Sequence, residues 1–151
     1  MSELGIYFAR AMDERAIGDI ALEDVKYIES LREIGANVIN PFEEKKQDAL
    51  QNGLSIAEND LANLRTSDIV LADLSLPHYQ YVGCIFEIAH AVMYDIPVVL
   101  VVGERDFSNR VFFQAYCGFI ARDAKEAIEY IRRAYTREGV DQQMAEMQAY
   151  Y

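Results

Sequence analysis

Residues 82–102, VGCIFEIAHAVMYDIPVVLVV, decide the fold. The stretch is apolar nearly throughout, yet Glu87 lies inside it. Ile85, Ile88, Ala89 and Val92 recur at helical spacing, and Pro97–Val102 then reads as a continuously buried strand. Glu87 therefore falls in the first turn or two of a helix packed against a sheet. A carboxylate there is near the positive end of the helix dipole, which favours the ionised form. Gly83, just upstream, lets backbone or a ligand come close. An anionic carboxylate in a mostly apolar pocket suits a nucleophile. A helix-capping glutamate bonded to backbone amides fits the same pattern, and the pattern leaves both readings open.

Working outward, the same alternation repeats along the chain. Leu4–Ala9 (LGIYFA) reads as a first strand, Arg10–Arg15 as a polar turn, and Ala16–Ile34 as a helix stopped by Gly35. Ile17, Ile20, Ala21, Val25, Ile28 and Leu31 mark its apolar face. Asn37–Asn40 is a short second strand halted by Pro41. The polar segment 43–53 reads as a loop or frayed helix over the site. Leu54–Thr66 is a helix with Ile56, Leu61 and Leu64 inward, and IVLADL at 69–74 is the third strand. Beyond the opening stretch come a loop at 103–109, an ambiguous segment at 110–116 and a short strand at Phe119–Ala121. A helix follows from Asp123 to about Thr136 with Glu126 in capping-box position, then a weakly amphipathic tail from Gly139.

Strands alternating with helices point to a parallel sheet with helices on both faces. The expected fold is α/β, a three-layer, doubly wound, five-stranded parallel sheet of the flavodoxin-like order 2-1-3-4-5, with 1–151 as a single domain. In that order the ligand crevice opens at the carboxyl ends of strands 1 and 3. Tyr7 sits toward that end of strand 1, and Glu87 lies on the helix after strand 3.

The 151 residues are 52% hydrophobic, enough for one sizeable core and too apolar for disorder. Charges break every apolar run before the roughly 20 residues that cross a bilayer. The start, MSELGIYFAR, has neither the basic opening nor the cleavage site of a signal peptide, so the expected location is cytoplasmic. The formal net charge of −11, from 25 acids against 14 bases, argues against a nucleic-acid polymer or an anionic membrane as partner. Cys84 and Cys117 read as free thiols, with a disulfide as the minor alternative, and no ligand spacing points to a metal.

Three residues form the leading chemical group. Tyr7 can hold a carboxylate by its hydroxyl, or be an ordinary buried strand aromatic. Asp60 lies on the helical stretch ENDLANL, where it is either functional or a solvated polar position. Glu87 is the third. Asp73 ends the third strand, where open sheets bind ligands, and Tyr79 and Tyr81 can stack on a flat ligand. His78 and His90 have no partner at catalytic spacing and receive no role. The residues after strand 1, FARAMDERA, contain no Walker loop and no GxGxxG, and no GxSxG occurs.

With those residues in place, the chain resembles the nucleoside 2-deoxyribosyltransferases. IYFARAM at 6–12 looks like the family's first strand with its tyrosine, NDLANLRTSDIVLADL at 59–74 like its NDL segment and central strand, and YVGCIFEIAHA at 81–91 like its glycine-to-glutamate motif. A sister group, the 2'-deoxynucleoside 5'-phosphate N-hydrolases, shares the first and last of these. The resemblance implies that Glu87 attacks C1' of the deoxyribose, that Tyr7 orients it, and that Asp60 faces the base and moves its proton. It implies substrate contacts at Gly83, Tyr81, Asp73, Ala9, Phe42, Asn109 and Tyr151, no cofactor, and 2'-deoxynucleosides and free nucleobases as partners. It also implies a homo-oligomer, either a dimer or a hexamer.

Departures from the family pattern carry information. Tyr81 stands where many transferases have an aspartate. The asparagine that a neighbouring subunit gives to the sugar 5'-hydroxyl has its slot near Phe113, with Asn109 a turn earlier. Ala11 and Asp13 replace the phosphate-binding serine and arginine of the hydrolases, which tilts the choice to a free nucleoside. Base exchange is the expected activity. N-glycosidic hydrolysis is the runner-up, and a nucleotide-derivative-binding module without turnover is the third reading.

Overall fold

Three short apolar runs, LGIYFAR, IVLAD and VVLV, lie side by side as the centre of one sheet in the computed structural model, which describes residues 3–12, 15–41 and 53–150. They are β1 (Leu4–Arg10), β3 (Ile69–Asp73) and β4 (Val98–Val101). With β2 (Ala36–Ile39) and β5 (Phe119–Ala121) they give an all-parallel sheet in the order β2-β1-β3-β4-β5. Strands covered on both faces carry apolar side chains at successive positions, and every residue of β3 and β4 is buried.

The helices are α1 (Ile17–Glu33), α2 (Gly53–Arg65), α3 (Val82–Met93), α4 (Val111–Tyr116), α5 (Ala124–Tyr135) and α6 (Arg137–Gln148), with a 3-10 turn at Asp106–Asn109. Strand alternation sorts the core into two layers. Ile6, Phe8, Ile69 and Leu71 meet Tyr27 and Leu31 of α1 and Ile131 of α5. Tyr7, Ala9, Val70 and Ala72 meet Leu64 of α2 and Ile88 and Ala91 of α3. Each fully buried aliphatic side chain contributes about 1.5–3 kcal/mol relative to exposure. The three-layer, doubly wound order is the one expected.

Helix faces depart from expectation in two places. On α1 the buried residues are Ile20, Tyr27, Ile28 and Leu31, while Ile17 and Val25 are 66% and 56% exposed. Tyr27, two helical turns after Ile20, takes the sheet-facing row and rotates Val25 outward. On α3 the sheet-facing row is Cys84, Ile88 and Ala91, and Ile85 and Ala89 turn to the surface. The ambiguous 110–116 segment is the short helix α4, and the tail is helical from Arg137.

Two caps set the last helices. Asp123 Oδ1 accepts the Glu126 N–H at 2.8 Å, and Thr136 Oγ1 accepts the Gly139 N–H at 3.2 Å. At Gly139 the chain of α6 passes against α5 so closely that a Cβ would lie 2.1 Å from the Arg132 carbonyl oxygen. Cys84 and Cys117 are both free thiols. No helix among the described residues is long and apolar enough to cross a membrane.

Candidate active site

The chain leaves β1 toward α1 on one face of the sheet and leaves β3 toward α3 on the other. Neighbouring strands that diverge in this way open a crevice between them. A cavity of about 750 Å³ occupies it. Its walls are Arg10–Met12 after β1, Ile56, Ala57, Asp60 and Leu61 of α2, the loop residues His78–Tyr81, and Val82–Cys84, Phe86 and Glu87 of α3.

Glu87 is the cavity's half-buried carboxylate on α3. The Tyr7 hydroxyl donates to Glu87 Oε1 at 3.2 Å, joining residues 80 positions apart. Glu87 stands in the second turn of α3, past the amides that a capping side chain serves and where the dipole has faded. Its arrangement is that of a carboxylate held by a phenol at a cavity wall. Tyr7 itself is fully buried in β1. Burial pushes its phenol far above the ordinary value, and the negative charges of Glu87 and Asp60 push it further. Tyr7 is therefore a neutral, permanent donor. Asp60, 7% exposed on α2, completes the group: a segment from β1, one from α2 and one from α3 meet at one place.

The other candidates divide. Gly83 and Tyr81 line the cavity. Tyr81 sits in left-handed conformation (φ 58°) just before α3, and its hydroxyl accepts the Leu76 N–H at 2.7 Å and donates to the Leu76 carbonyl at 3.1 Å. The side chain thus ties its own loop together. Ala9 is buried in β1 behind the wall and is not part of the lining.

Asp73 lies on the opposite face of the sheet, in the row of Ile69 and Leu71. Its Oδ2 accepts the Tyr27 hydroxyl at 2.6 Å, and its Oδ1 accepts the Ser75 N–H at 2.8 Å and the Ser75 hydroxyl at 2.5 Å. It fastens α1 and the end of β3 and does not line the cavity. Asn109 is exposed on the 3-10 turn, where its amide donates to Asp106 Oδ1 at 2.6 Å. Phe42, Tyr151 and Asp13 lie outside the described residues, as does most of the segment read as a loop over the site.

Arg10 is a wall residue that reading 10–15 as a polar turn overlooked. It closes β1, is 4% exposed, and pairs with Asp24 and with Glu23 at 3.6 Å. Its Nη2 donates to Asn40 Oδ1 at 3.2 Å, and its guanidinium lies 4.7 Å from the Phe8 ring centre. Burial lowers its pKa to about 10, against the opposing pull of Glu23. Arg15 reinforces this cluster through a two-pronged contact to Glu23 at 3.0 and 3.2 Å. An arginine ending an otherwise apolar strand is the signal that marks it in the sequence.

The arrangement offers a carboxylate within reach of a ligand, a neutral donor that fixes it, and a second carboxylate beside them. That set can carry covalent substitution at carbon with proton transfer to a leaving group. Among the described residues no group of three or more His, Cys, Asp and Glu side chains is placed to hold a metal ion.

The fold is shared with solved structures. A 2-deoxyribosyltransferase from Bacillus psychrosaccharolyticus superposes with a TM-score of 0.63 at 18% identity, over 83% of this chain and 91% of that one. A conserved protein from Enterococcus faecalis V583 gives 0.69 at 19% identity, over 87% and 99%. A CMP N-glycosidase from Clostridium botulinum gives 0.54 at 19% identity, over 84% and 96%. No curated protein matches the chain significantly by sequence. The family model described as nucleoside 2-deoxyribosyltransferase matches residues 6–125, a span that takes in β1, α2 and α3 with Tyr7, Asp60 and Glu87, and the chain belongs to that family.

Proposed function

We propose that this protein exchanges the base of 2'-deoxynucleosides by double displacement at C1', with Glu87 as nucleophile. The observation that carries the reading is the Tyr7 hydroxyl 3.2 Å from Glu87 Oε1 at the wall of a cavity that Asp60 also lines. A Glu87 oxygen bonds to C1' as the C1'–N bond breaks. The departing base keeps the bonding electron pair and takes a proton from Asp60, which enters this step as the carboxylic acid and leaves it as the carboxylate. An incoming base then attacks C1', gives its proton to Asp60 and releases the Glu87 carboxylate. Both steps pass through an oxocarbenium-like transition state, as in retaining glycosidases. Proton donation of this kind is worth about 10²–10⁴ in rate. The chemistry requires neither metal nor cofactor.

The charges of the wall favour a free nucleoside over a 5'-phosphate. Its charged side chains among the described residues are Arg10, Asp60 and Glu87, and Arg10 is paired with Asp24 and Glu23. Gly83 and Tyr81 contact the substrate in this reading, with Ala9 behind them. The protein acts as a single domain in the cytoplasm. A homo-oligomer, a dimer or a hexamer, is supported by exposed Phe86 at the cavity edge and by exposed Val82, Val111, Phe112 and Tyr116.

Mass spectrometry of enzyme quenched during turnover tests the reading. A deoxyribosyl adduct is expected on the peptide containing Glu87, and its absence from every quenched sample would overturn the covalent route. The second reading, N-glycosidic hydrolysis, rests on the half-exposed position of Glu87, which water can reach. Base release at one rate with and without an acceptor base would decide for it.

A further inference from the structure

Four residues of the cavity wall, His78, Tyr79, Gln80 and Tyr81, come from the loop between β3 and α3. His78 and Tyr81 have φ of 69° and 58°, in the left-handed region. Side chains with a Cβ resist that region by roughly 1–2 kcal/mol each, so surrounding contacts must over-determine the conformation. We propose that Arg105, from the segment after β4, is the positioning residue that holds this substrate-facing wall. The proposal rests on the base-exchange reading for its kinetic consequence.

The contacts are specific. Arg105 Nη1 donates to the Leu76 carbonyl at 2.8 Å and to the Tyr79 carbonyl at 3.3 Å. The guanidinium lies 4.4 Å from the Phe107 ring centre and 5.8 Å from that of Tyr81. The Leu76 carbonyl also accepts the Tyr81 hydroxyl, so both ends of the loop converge on one oxygen. Gly103 lets the two segments touch: a Cβ there would stand 2.9 Å from Ser75 Cβ. Arg105 does not line the cavity. Its Nη1 donates into the loop and its guanidinium lies near the rings of Phe107 and Tyr81, so it acts on substrate only through the residues it holds, Leu76, Tyr79 and Tyr81 among them. Lysine cannot copy this, because an ammonium lacks the planar, weakly hydrated guanidinium that stands near the Phe107 and Tyr81 rings.

Kinetics and amide hydrogen exchange, read on the full chain, test the clamp. Arg105→Ala is expected to raise KM for the deoxynucleoside roughly tenfold or more while kcat at saturation stays within about threefold, the pattern of a mispositioned binding wall. Arg105→Lys should fall between that variant and the unsubstituted protein. Millimolar guanidinium should lower the raised KM of Arg105→Ala and leave the unsubstituted protein unchanged. Amide hydrogen exchange at 76–81 should quicken in Arg105→Ala, with the strands unaffected.

An unchanged KM together with unchanged exchange at 76–81 would overturn the proposal. Should Arg105→Ala not fold, Arg105→Lys decides: KM and exchange equal to those of the unsubstituted protein sink it. If the unsubstituted protein transfers no base at all, the function reading fails instead, and the exchange at 76–81 still decides the clamp.

Discussion

The Tyr7 hydroxyl and Glu87 Oε1 lie 3.2 Å apart, the phenol rising from the buried middle of β1 and the carboxylate descending from α3. One neutral donor fixes one oxygen and leaves the carboxylate charged. Replacing Tyr7 by phenylalanine keeps the ring in its core and removes that bond. Because a hydrogen bond to a charged group is worth about 1.5–3 kcal/mol, kcat should fall about ten- to hundredfold with little change in KM. Steady-state kinetics with one deoxynucleoside and one acceptor base measure it. A kcat within twofold of the original would remove Tyr7 from the mechanism.

Glu87→Ala should lower base exchange by more than about ten-thousand-fold, since the covalent ester with C1' cannot form without its carboxylate. Chromatography of mixed deoxynucleosides and bases, purine and pyrimidine, gives the readout. The variant should fold normally, because Glu87 is half-buried and outside the apolar row of Cys84, Ile88 and Ala91. Retained exchange in that folded variant would exclude Glu87 as the attacking group.

Tyr27 and Asp73 make a structural prediction. Tyr27→Phe removes a 2.6 Å bond and leaves Asp73 with its Ser75 contacts, so unfolding in urea should show a loss of about 1–3 kcal/mol. Base exchange at 25 °C should survive, as neither residue lines the cavity.

Alkaline pH acts through the same phenol. Burial first, and then Asp73, hold Tyr27 protonated in the folded chain well above the ordinary value of 10.0, and Tyr7 behaves likewise. Below that value both folded and unfolded states keep the protons. Above it the unfolded chain releases them and the folded chain does not, so stability falls by about 1.4 kcal/mol per pH unit for each phenol. Unfolding midpoints between pH 9 and pH 11.5 should show the decline, with a shallower slope in Tyr27→Phe. Equal slopes in the two proteins would show that Tyr27 is not one of the linked groups.

Gly139→Ala should cost about 1–3 kcal/mol, because the added Cβ meets the Arg132 carbonyl and the Arg133 Cα across the α5–α6 approach. Thermal unfolding followed by circular dichroism gives the shift. An unshifted midpoint would mean that the two helices part without penalty.

The sheet order was legible because strands and helices alternate at regular lengths, and that alternation admits few topologies. Glu87 stood out as an acid in an apolar stretch. Tyr7 and Asp60 stood among the leading residues beside ordinary readings, a buried strand aromatic and a solvated helix position, and the family resemblance supplied their roles. Asp73 shows where parity matters: it shares a row with Ile69 and Leu71, opposite the face of Tyr7, so its position at a strand end did not bring it to the cavity. Asn109 is claimed by a neighbour three residues away. Arg10 and Arg105 were missed for a common reason. Each gains its meaning from partners brought by other elements, Asn40 after β2 and Leu76 after β3, and even Arg10's place at the end of an apolar strand does not name those partners.

β1 comes first in the chain but sits inside the sheet, between β2 and β3, while its tyrosine waits for a glutamate 80 residues downstream. During synthesis on the ribosome, a chain that ends before α3 therefore carries the tyrosine without the glutamate it holds and without part of the cavity wall. Recovery of turnover after dilution from denaturant should then lag behind the return of helical signal, which makes the enzyme's own activity a clock for the last stage of its assembly.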